Sequence, residues 1–267
     1  MKKLKVLLKR AGVILKVLFK RACVILFLLV AWWQLSKNMN PLFVPSPKSV
    51  YEGILALIEN KQLIMGTYYS FYRVAIASIL SGIVSVILGL LIYSFKFVRT
   101  TMYPIINSMR YIPVTAFYPL LIMWCGIGEQ MKIIFLFIVI FVYMMPSMYN
   151  IFSEISEDLI DTGYTIGMNK SQVIYMVLLP SSLPAIVQTF IMLFAVGFTY
   201  IPFVESINAK YGLGYVIQQS SSRGRTDLVF VGIVAIMFIS FLFDNGARYL
   251  AGKIFPWRTN NDQSKWS

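Results

Sequence analysis

An all-α, polytopic membrane protein with about six transmembrane helices is the fold class this sequence predicts, and three observations carry the prediction. Hydrophobic residues fill 58% of the 267 positions and charged residues only 13%, against roughly 45–50% and about 25% in soluble proteins. The mean hydropathy is +0.72. The apolar positions gather into runs near the roughly 20 residues that a spanning helix needs, so the length fits five or six helices in one domain.

The net charge is +13, yet eight of the 24 Lys and Arg residues lie in the first 21 positions, directly before an apolar run. That placement suits anionic lipid head groups and helix orientation rather than a nucleic-acid groove. Cys23 and Cys125 stand far apart, so neither a disulfide framework nor a metal pair follows. Histidine is absent, which removes the commonest general base and metal ligand.

Taken in order, residues 1–44 read as a basic N-terminus and a first span. Lys9–Leu15 is echoed by Lys20–Leu26 as an amphipathic lead-in, and Ala22–Leu35 ends at the interfacial pair Trp32 and Trp33. The competing signal peptide lacks a small-residue cleavage site after WWQL. Pro41, Pro45 and Pro47 punctuate a loop, and 49–64 reads as a short half-polar helix outside the core. The second span is expected at about 73–95, with Ser78, Gly82, Ser85 and Gly89 on one face for close helix packing. The third, about 103–124, is interrupted by Pro104, Pro113 and Pro119 and holds Arg110. Freed backbone carbonyls are tolerated in a bilayer only against neighbouring helices or a water-lined cavity, so this is the candidate pathway helix. Arg110 either snorkels to the interface or faces a polar cavity. A fourth span follows 126–132 and closes at Pro146; the fifth is placed at about 185–203 and the sixth at about 228–250, where Asp244 and Arg248 form a local ion pair.

Six spans put both termini on one side. That side holds fifteen basic residues and the other eight, Arg73 and Lys132 among the eight, with Arg110 inside a span. The positive-inside rule therefore sets both termini, and the loop at 155–184, in the cytoplasm. With Glu154, this loop holds four of the chain's eleven carboxylates. It reads as two short helices: one at about 153–166 ended by Gly167, and one started by Asn169 and Gln172 in a capping-box spacing, carrying Val173, Ile174 and Val177 before Pro180. Such an amphipathic pair suits a groove on a cytosolic partner; lying on the lipid surface is disfavoured by its carboxylates.

These residues carry a family resemblance. Asp161, Thr162 and Gly163, then three residues, Gly167, and later Leu179 and Pro180 resemble the EAA motif of permease subunits of bacterial ABC importers, with an acid and two small residues where the motif has Glu-Ala-Ala. PSPKSV at 45–50, SFYRV at 70–74, YIPVTAFYPLLIMWCGIGE at 111–129, LLPSSLPAI at 178–186 and YGLGYVI at 211–217 are similar to the nitrate, sulfonate and taurine permeases. The likeness runs in order over about 45–258, leaving 259–267 as a polar tail. Tyr111, Tyr118 and Cys125 depart from the Pro, Ile and Phe of that group, and two of the changes add hydroxyls.

The resemblance implies a type I ABC importer permease fold in a bacterial inner membrane, with a coupling loop at 153–184 that uses Asp161, Thr162, Gly163, Gly167, Asn169, Gln172, Leu179 and Pro180. It implies a cytosolic ABC ATPase dimer, a second permease chain and an extracytoplasmic solute-binding protein as partners. The chain lacks a Gly-x-x-x-x-Gly-Lys-Ser/Thr phosphate loop, so no enzyme activity and no cofactor is expected of it; ATP and Mg belong to the partner. Arg110, Pro113, Thr115, Tyr118, Trp124 and Glu205 are the candidate pathway residues, Glu205 being equally readable as a solvated interfacial carboxylate. The 210–227 stretch is a candidate contact for the binding protein, or a plain flexible polar loop. The solute is expected to be a sulfonate- or nitrate-type anion or a small organic molecule such as a pyrimidine or vitamin precursor. An ion-coupled secondary transporter is the alternative, against which stands the scarcity of carboxylates within spans. A membrane-embedded enzyme would need a clustered catalytic site, and none is visible.

Overall fold

The computed structural model describes residues 2–257, with side chains from 19 onward apart from that of 21. The polar tail at 259–267 and the side chains of the first basic echo lie outside the described residues. Helices account for nearly all of the structure, with no strand among the described residues. Four helices are long and apolar enough to cross a membrane, and the shorter apolar stretches Ala22–Asn38 and Val114–Cys125 add two more hydrophobic segments.

Helix α1, Lys2–Asn38, runs unbroken through the basic lead-in and the first apolar stretch. It is pinned at its far end, where Trp32 Nε1 donates to the Pro45 carbonyl at 3.1 Å and the indole stacks on Phe230. Helix α2, Pro47–Glu59, starts where the sequence dictates: Ser46 Oγ accepts from Ser49 N, and Pro47 occupies the first turn, where no N–H is needed. Lys61, at φ 57, turns the chain, and α3 then runs from Gln62 to Ser94. The expected start at Arg73 is thus corrected by eleven residues. Arg73 does not end the span because its charge is neutralised inside the protein, as described below.

The third apolar stretch is not one helix. Helix α4, Lys96–Ser108, is followed by single turns at Met109–Tyr111 and Val114–Phe117, then by α5, Tyr118–Cys125. Ile112 and Pro113 are extended between the turns, because a residue before proline is driven out of the helical region. The expected span at 103–124 is therefore a broken path; thirteen residues of α4 span about 20 Å at about 1.5 Å each, short of a roughly 30 Å hydrocarbon core.

Helix α6, Glu129–Ser153, continues straight through Pro146, so the expected closure there is also corrected. Pro146 is buried, and neighbouring helices compensate a proline inside a packed membrane helix. After α7, Glu157–Thr165, the chain enters α8, Lys170–Glu205. The second short helix of the loop is therefore the first turns of a long one. Residues Val173–Leu178 widen there into a π-helical turn. Pro180 supplies the reason: its ring crowds the carbonyl four residues back and it cannot donate to it, and a widened turn accommodates both. The 210–227 stretch is not a plain loop either, since Leu213–Ser222 forms α9, and α10, Thr226–Ile254, completes the fold.

The core is made by α3, α6 and α8. Helices α3 and α6 run parallel, with Ser81 Oγ donating to the Phe137 carbonyl at 2.9 Å and Gly89 against Met148 and Phe152 further along. Helix α8 is antiparallel to both, Gly197 lying against Val74 and Ile140, and Phe190 against Gly82. The small-residue stripe of α3 acts as the sequence implies, for Ser78, Gly82, Ser85 and Gly89 are all buried. Close approach leaves no room to spare: a Cβ on Gly89 would come within 2.8 Å of Met148 Cβ. Helix α10 lies on the outside, joined by Phe243 stacked on Phe194 at 3.7 Å, and Asp244 and Arg248 form their expected pair at 2.8 Å.

Candidate functional site

Three of the sequence fragments singled out above, and Glu205, meet at one end of the bundle. SFYRV contributes Ser70 and Arg73 from α3, the end of the 111–129 segment contributes Glu129 at the start of α6, Glu205 closes α8, and YGLGY contributes Tyr211, Gly212 and Gly214. Arg73 is the centre. Its Nε donates to Glu129 Oε2 at 2.6 Å and its Nη2 to Glu129 Oε1 at 2.8 Å, a bidentate fork. Its Nη1 donates to Glu205 Oε1 and, at 2.9 Å, to the Tyr211 carbonyl. The Arg73 and Glu205 side chains are 1% and 0% exposed.

Glu205 is satisfied on its other side. Ser70 Oγ donates to its carboxylate at 2.9 Å and accepts from Leu213 N at 2.9 Å, and Gly214 N donates to Oε2 at 2.8 Å. Lys132 Nζ adds a bond to Glu129 Oε1 at 3.1 Å, and Lys132 is itself buried. Two carboxylates against two cations leave the group neutral; the Glu129 side chain is 50% exposed, whereas Arg73, Lys132 and Glu205 are enclosed, and pairing is the condition for holding those charges away from water. The glycines are required by the same geometry. Gly212 sits at φ 143, where a Cβ would overlap the Glu205 carboxylate, and a Cβ on Gly214 would meet the Ile201 carbonyl at 2.7 Å.

Arg73 and Lys132 were counted among loop charges in assigning sidedness; both are enclosed side chains instead. Sequence reasoning singled out Glu205 and missed Ser70, Arg73, Glu129 and Lys132. The available signal was an arginine following an uninterrupted helical pattern and lacking any local acid, since ionisable groups within spans need partners.

At the opposite end lies the loop with the EAA-like residues. Helix α7 ends at Gly167, whose φ of 87 places it in the left-handed region; Gly167 N donates to the Tyr164 carbonyl and Met168 N to that of Gly163, the pattern of a glycine-terminated helix. The Asn169–Gln172 capping box is fully formed: Gln172 N donates to Asn169 Oδ1 at 2.9 Å and Asn169 N to Gln172 Oε1 at 2.8 Å. Gly163 is buried against Val173 and Val177, which sets the angle between α7 and α8. Asp161, Thr162 and Pro180 are exposed, Leu179 half-buried. Beside them Ile166 is 68% and Met176 63% exposed, apolar surface bordered by Glu157, Asp158 and Asp161. Lys170 Nζ reaches the Ser94 carbonyl at 2.7 Å, tying this loop to the end of α3.

The six candidate pathway residues divide. Pro113, Thr115 and Trp124 are exposed along the broken α4–α5 path and Arg110 is half-buried, its Nε shielded and without a protein partner. Tyr118 is buried, 2% exposed, with its hydroxyl donating to the Val204 carbonyl at 3.2 Å. Glu205 belongs to the Arg73-centred group described above, called the clasp from here on, and has no open face. The hydroxyl that distinguishes Tyr118 from the isoleucine of the resembled group is thus used for helix packing. Among the described residues no group of His, Cys, Asp and Glu is arranged to hold a metal ion.

Parallel and antiparallel apolar helices, a proline-broken segment beside them and an exposed capped loop at one end describe a multi-pass membrane protein. The chain belongs to the binding-protein-dependent transport system inner membrane component family, whose profile matches residues 81–256. It is 29% identical over 237 residues to the taurine transport system permease protein TauC of Escherichia coli K12, covering 86% of each chain. It is 25% identical to the putative aliphatic sulfonates transport permease protein SsuC of Bacillus subtilis, over 87% of this chain and 85% of that one. It is 23% identical to the formylaminopyrimidine transport permease protein ThiX of Halalkalibacterium halodurans, over 86% and 93%. Among solved structures, inward-facing forms of the MetNI methionine ABC transporter share the fold, with a TM-score of 0.57 and 21% identity over 70% of this chain and 95% of that one. The chain is thus an ABC importer permease subunit, a class that is not itself enzymatic.

Proposed function

We propose that this chain forms the translocation pathway of an ATP-driven importer, taking a small solute from an extracytoplasmic binding protein and coupling its passage to a cytosolic ATPase dimer. The observation that carries the reading is the docking loop. A left-handed glycine turn and a complete capping box present an acidic, partly apolar helix on the EAA-like residues Asp161, Thr162, Gly163 and Gly167. Both termini and this loop are cytoplasmic, and a second copy of the chain completes the pathway. ATP and Mg²⁺ are held by the ATPase. Nucleotide-driven closure of that partner displaces α7, and the displacement passes through Gly163 and the π-helical turn into α8, biasing two states of the bundle.

The pathway follows the proline-broken segment, along Arg110, Pro113, Thr115 and Trp124, with Tyr118 and Glu205 bracing it from behind. A shielded arginine with an unpaired Nε favours an anionic solute, and relatives named for taurine, sulfonates and a formylaminopyrimidine support a sulfonate- or nitrate-type anion or a small organic solute. The test is Gly167→Leu. A side chain at φ 87 costs about 1–3 kcal/mol locally, enough to deform the turn while sparing the spans. Membrane insertion is expected to be retained, with copurification of the ATPase and solute uptake both lost. Uptake and copurification at native levels would refute the docking assignment.

A further inference from the structure

A cavity of about 260 Å³ opens at the end of the bundle away from the clasp, where five segments meet. Tyr93 comes from the end of α3, Arg99 from α4, Ser153 from the end of α6, Glu157 and Tyr164 from α7, and Lys170 from the start of α8. Val173 and Leu178, both buried, also line it. The volume is below the roughly 300–1,000 Å³ of sites for drug-sized ligands, so a head group or a small ion fits and a large cofactor does not.

The lining is rich in unused donors. Among the described residues, the Arg99 guanidinium and the hydroxyls of Tyr93 and Tyr164 have no hydrogen-bond or ion-pair partner. Lys170 Nζ uses one of its three donors on the Ser94 carbonyl at 2.7 Å, leaving two. Arg99, Glu157 and Tyr164 are all electrostatic neighbours of the Tyr93 phenol, so these groups converge instead of being strung along a groove. Arg99 and Lys170 against Glu157, the one carboxylate of the lining, leave the cavity net positive. A lone exposed arginine is ordinary. Two cations and two phenols drawn from four segments around one cavity form a donor set for a phosphate, which takes several charge-assisted hydrogen bonds at once.

Position points to the carrier of that phosphate. Ser94 is the last residue of α3, a spanning helix of 33 residues. At about 1.5 Å per residue it runs about 50 Å, longer than a roughly 30 Å hydrocarbon core, so the cavity at its end lies at head-group level. The Phe95 ring, 53% exposed, lies 5.0 Å from Lys170 Nζ, which puts apolar surface for an acyl chain beside the charge. Basic pockets between spanning helices suit anionic lipid head groups.

We propose that this cavity binds the phosphate of an anionic phospholipid, held by Arg99 and Lys170 with the Tyr93 and Tyr164 hydroxyls, and that the bound head group fastens α7 to the ends of α3 and α4. The site is formed by the bundle and the loop alone, so it stands or falls separately from ATPase docking.

The experiment titrates the full detergent-solubilised chain with phosphatidylglycerol, with phosphatidylcholine of the same acyl chains and with glycerol phosphate, reading bound ligand by native mass spectrometry. Phosphatidylglycerol is expected to bind at least tenfold more tightly than either of the others. Arg99→Gln and Lys170→Gln should each weaken it at least fivefold. Lys96→Gln, which removes an adjacent exposed cation outside the lining, should stay within twofold of native. Hydrogen exchange of the α7 amides should slow when phosphatidylglycerol is added to the native chain and not when it is added to Arg99→Gln. Equal affinity for the two lipids, or an equal loss in Lys96→Gln and Arg99→Gln, overturns the built site in favour of diffuse surface attraction. Glycerol phosphate binding as tightly as phosphatidylglycerol overturns the lipid as the source and leaves a site for a soluble phosphate. Unchanged α7 exchange in the lipid-bound native chain overturns the fastening of α7. Arg99 makes no side-chain bond in the chain, so its variant is expected to keep the native unfolding midpoint, which separates lost binding from lost folding.

Discussion

Replacing Arg73 with methionine keeps most of the side-chain length and removes the charge. The Glu205 carboxylate would then lie in the same enclosure, its side chain 0% exposed, with Ser70 Oγ and Gly214 N as its remaining donors and no cation. Breaking a buried pair by removing one partner costs about 3–5 kcal/mol, most of it the uncompensated charge left behind. Solvent screening gives no discount, because neither side chain reaches water. At roughly 2–4 °C per kcal/mol for a chain of this size, the midpoint for thermal unfolding of the detergent-solubilised protein should fall by about 10 °C. The double variant Arg73→Met, Glu205→Gln removes the stranded charge and lets the amide oxygen keep accepting from Ser70 and Gly214. It should recover at least half of the loss, and the non-additivity of the two changes measures the coupling. A single variant within 2 °C of native, on the order of 1 kcal/mol or less, or a double variant no better than Arg73→Met alone, would refute the clasp as a charge-compensated unit.

Gly89→Val places branched carbons where even a Cβ comes within 2.8 Å of Met148 Cβ; overpacking of this kind costs about 1–3 kcal/mol, read as a lower unfolding midpoint, and Met148→Ala in the same chain should restore part of it. Arg110→Ala should lower solute uptake in reconstituted vesicles at least tenfold without changing the unfolding midpoint by more than about 2 °C; equal uptake would remove Arg110 from the pathway.

Much of the architecture is legible in one dimension because a bilayer leaves the chain few options. Backbone groups in hydrocarbon must be satisfied within the segment, so long apolar runs have to be helices, and each of the four long helices contains one of the expected runs while several extend well beyond its expected bounds. The loop at 155–184 is legible for another reason: its determinants are local. A glycine that ends one helix and an Asn-to-Gln spacing that starts the next act within a few residues, and both are found as expected. Boundaries set by proline were misjudged in both directions. Pro146 leaves α6 unbroken because neighbouring helices compensate it, whereas Pro113 divides its segment where Arg110 and Ile112 lie in a looser, partly exposed stretch.

The clasp could be settled only in three dimensions. Ser70, Arg73, Glu129, Glu205 and Tyr211 are separated by up to 141 positions, and no periodicity links them. Whether a charge in an apolar sequence marks a span end or a buried bond depends on what packs opposite, and that is decided by the parallel run of α3 and α6 and the antiparallel return of α8. Solvent and short-range backbone chemistry already dictate a helical membrane protein with an exposed glycine-turned, capped loop at 155–184. Only the tertiary structure decided that Arg73 joins four segments, since opposite charges compensate each other through space.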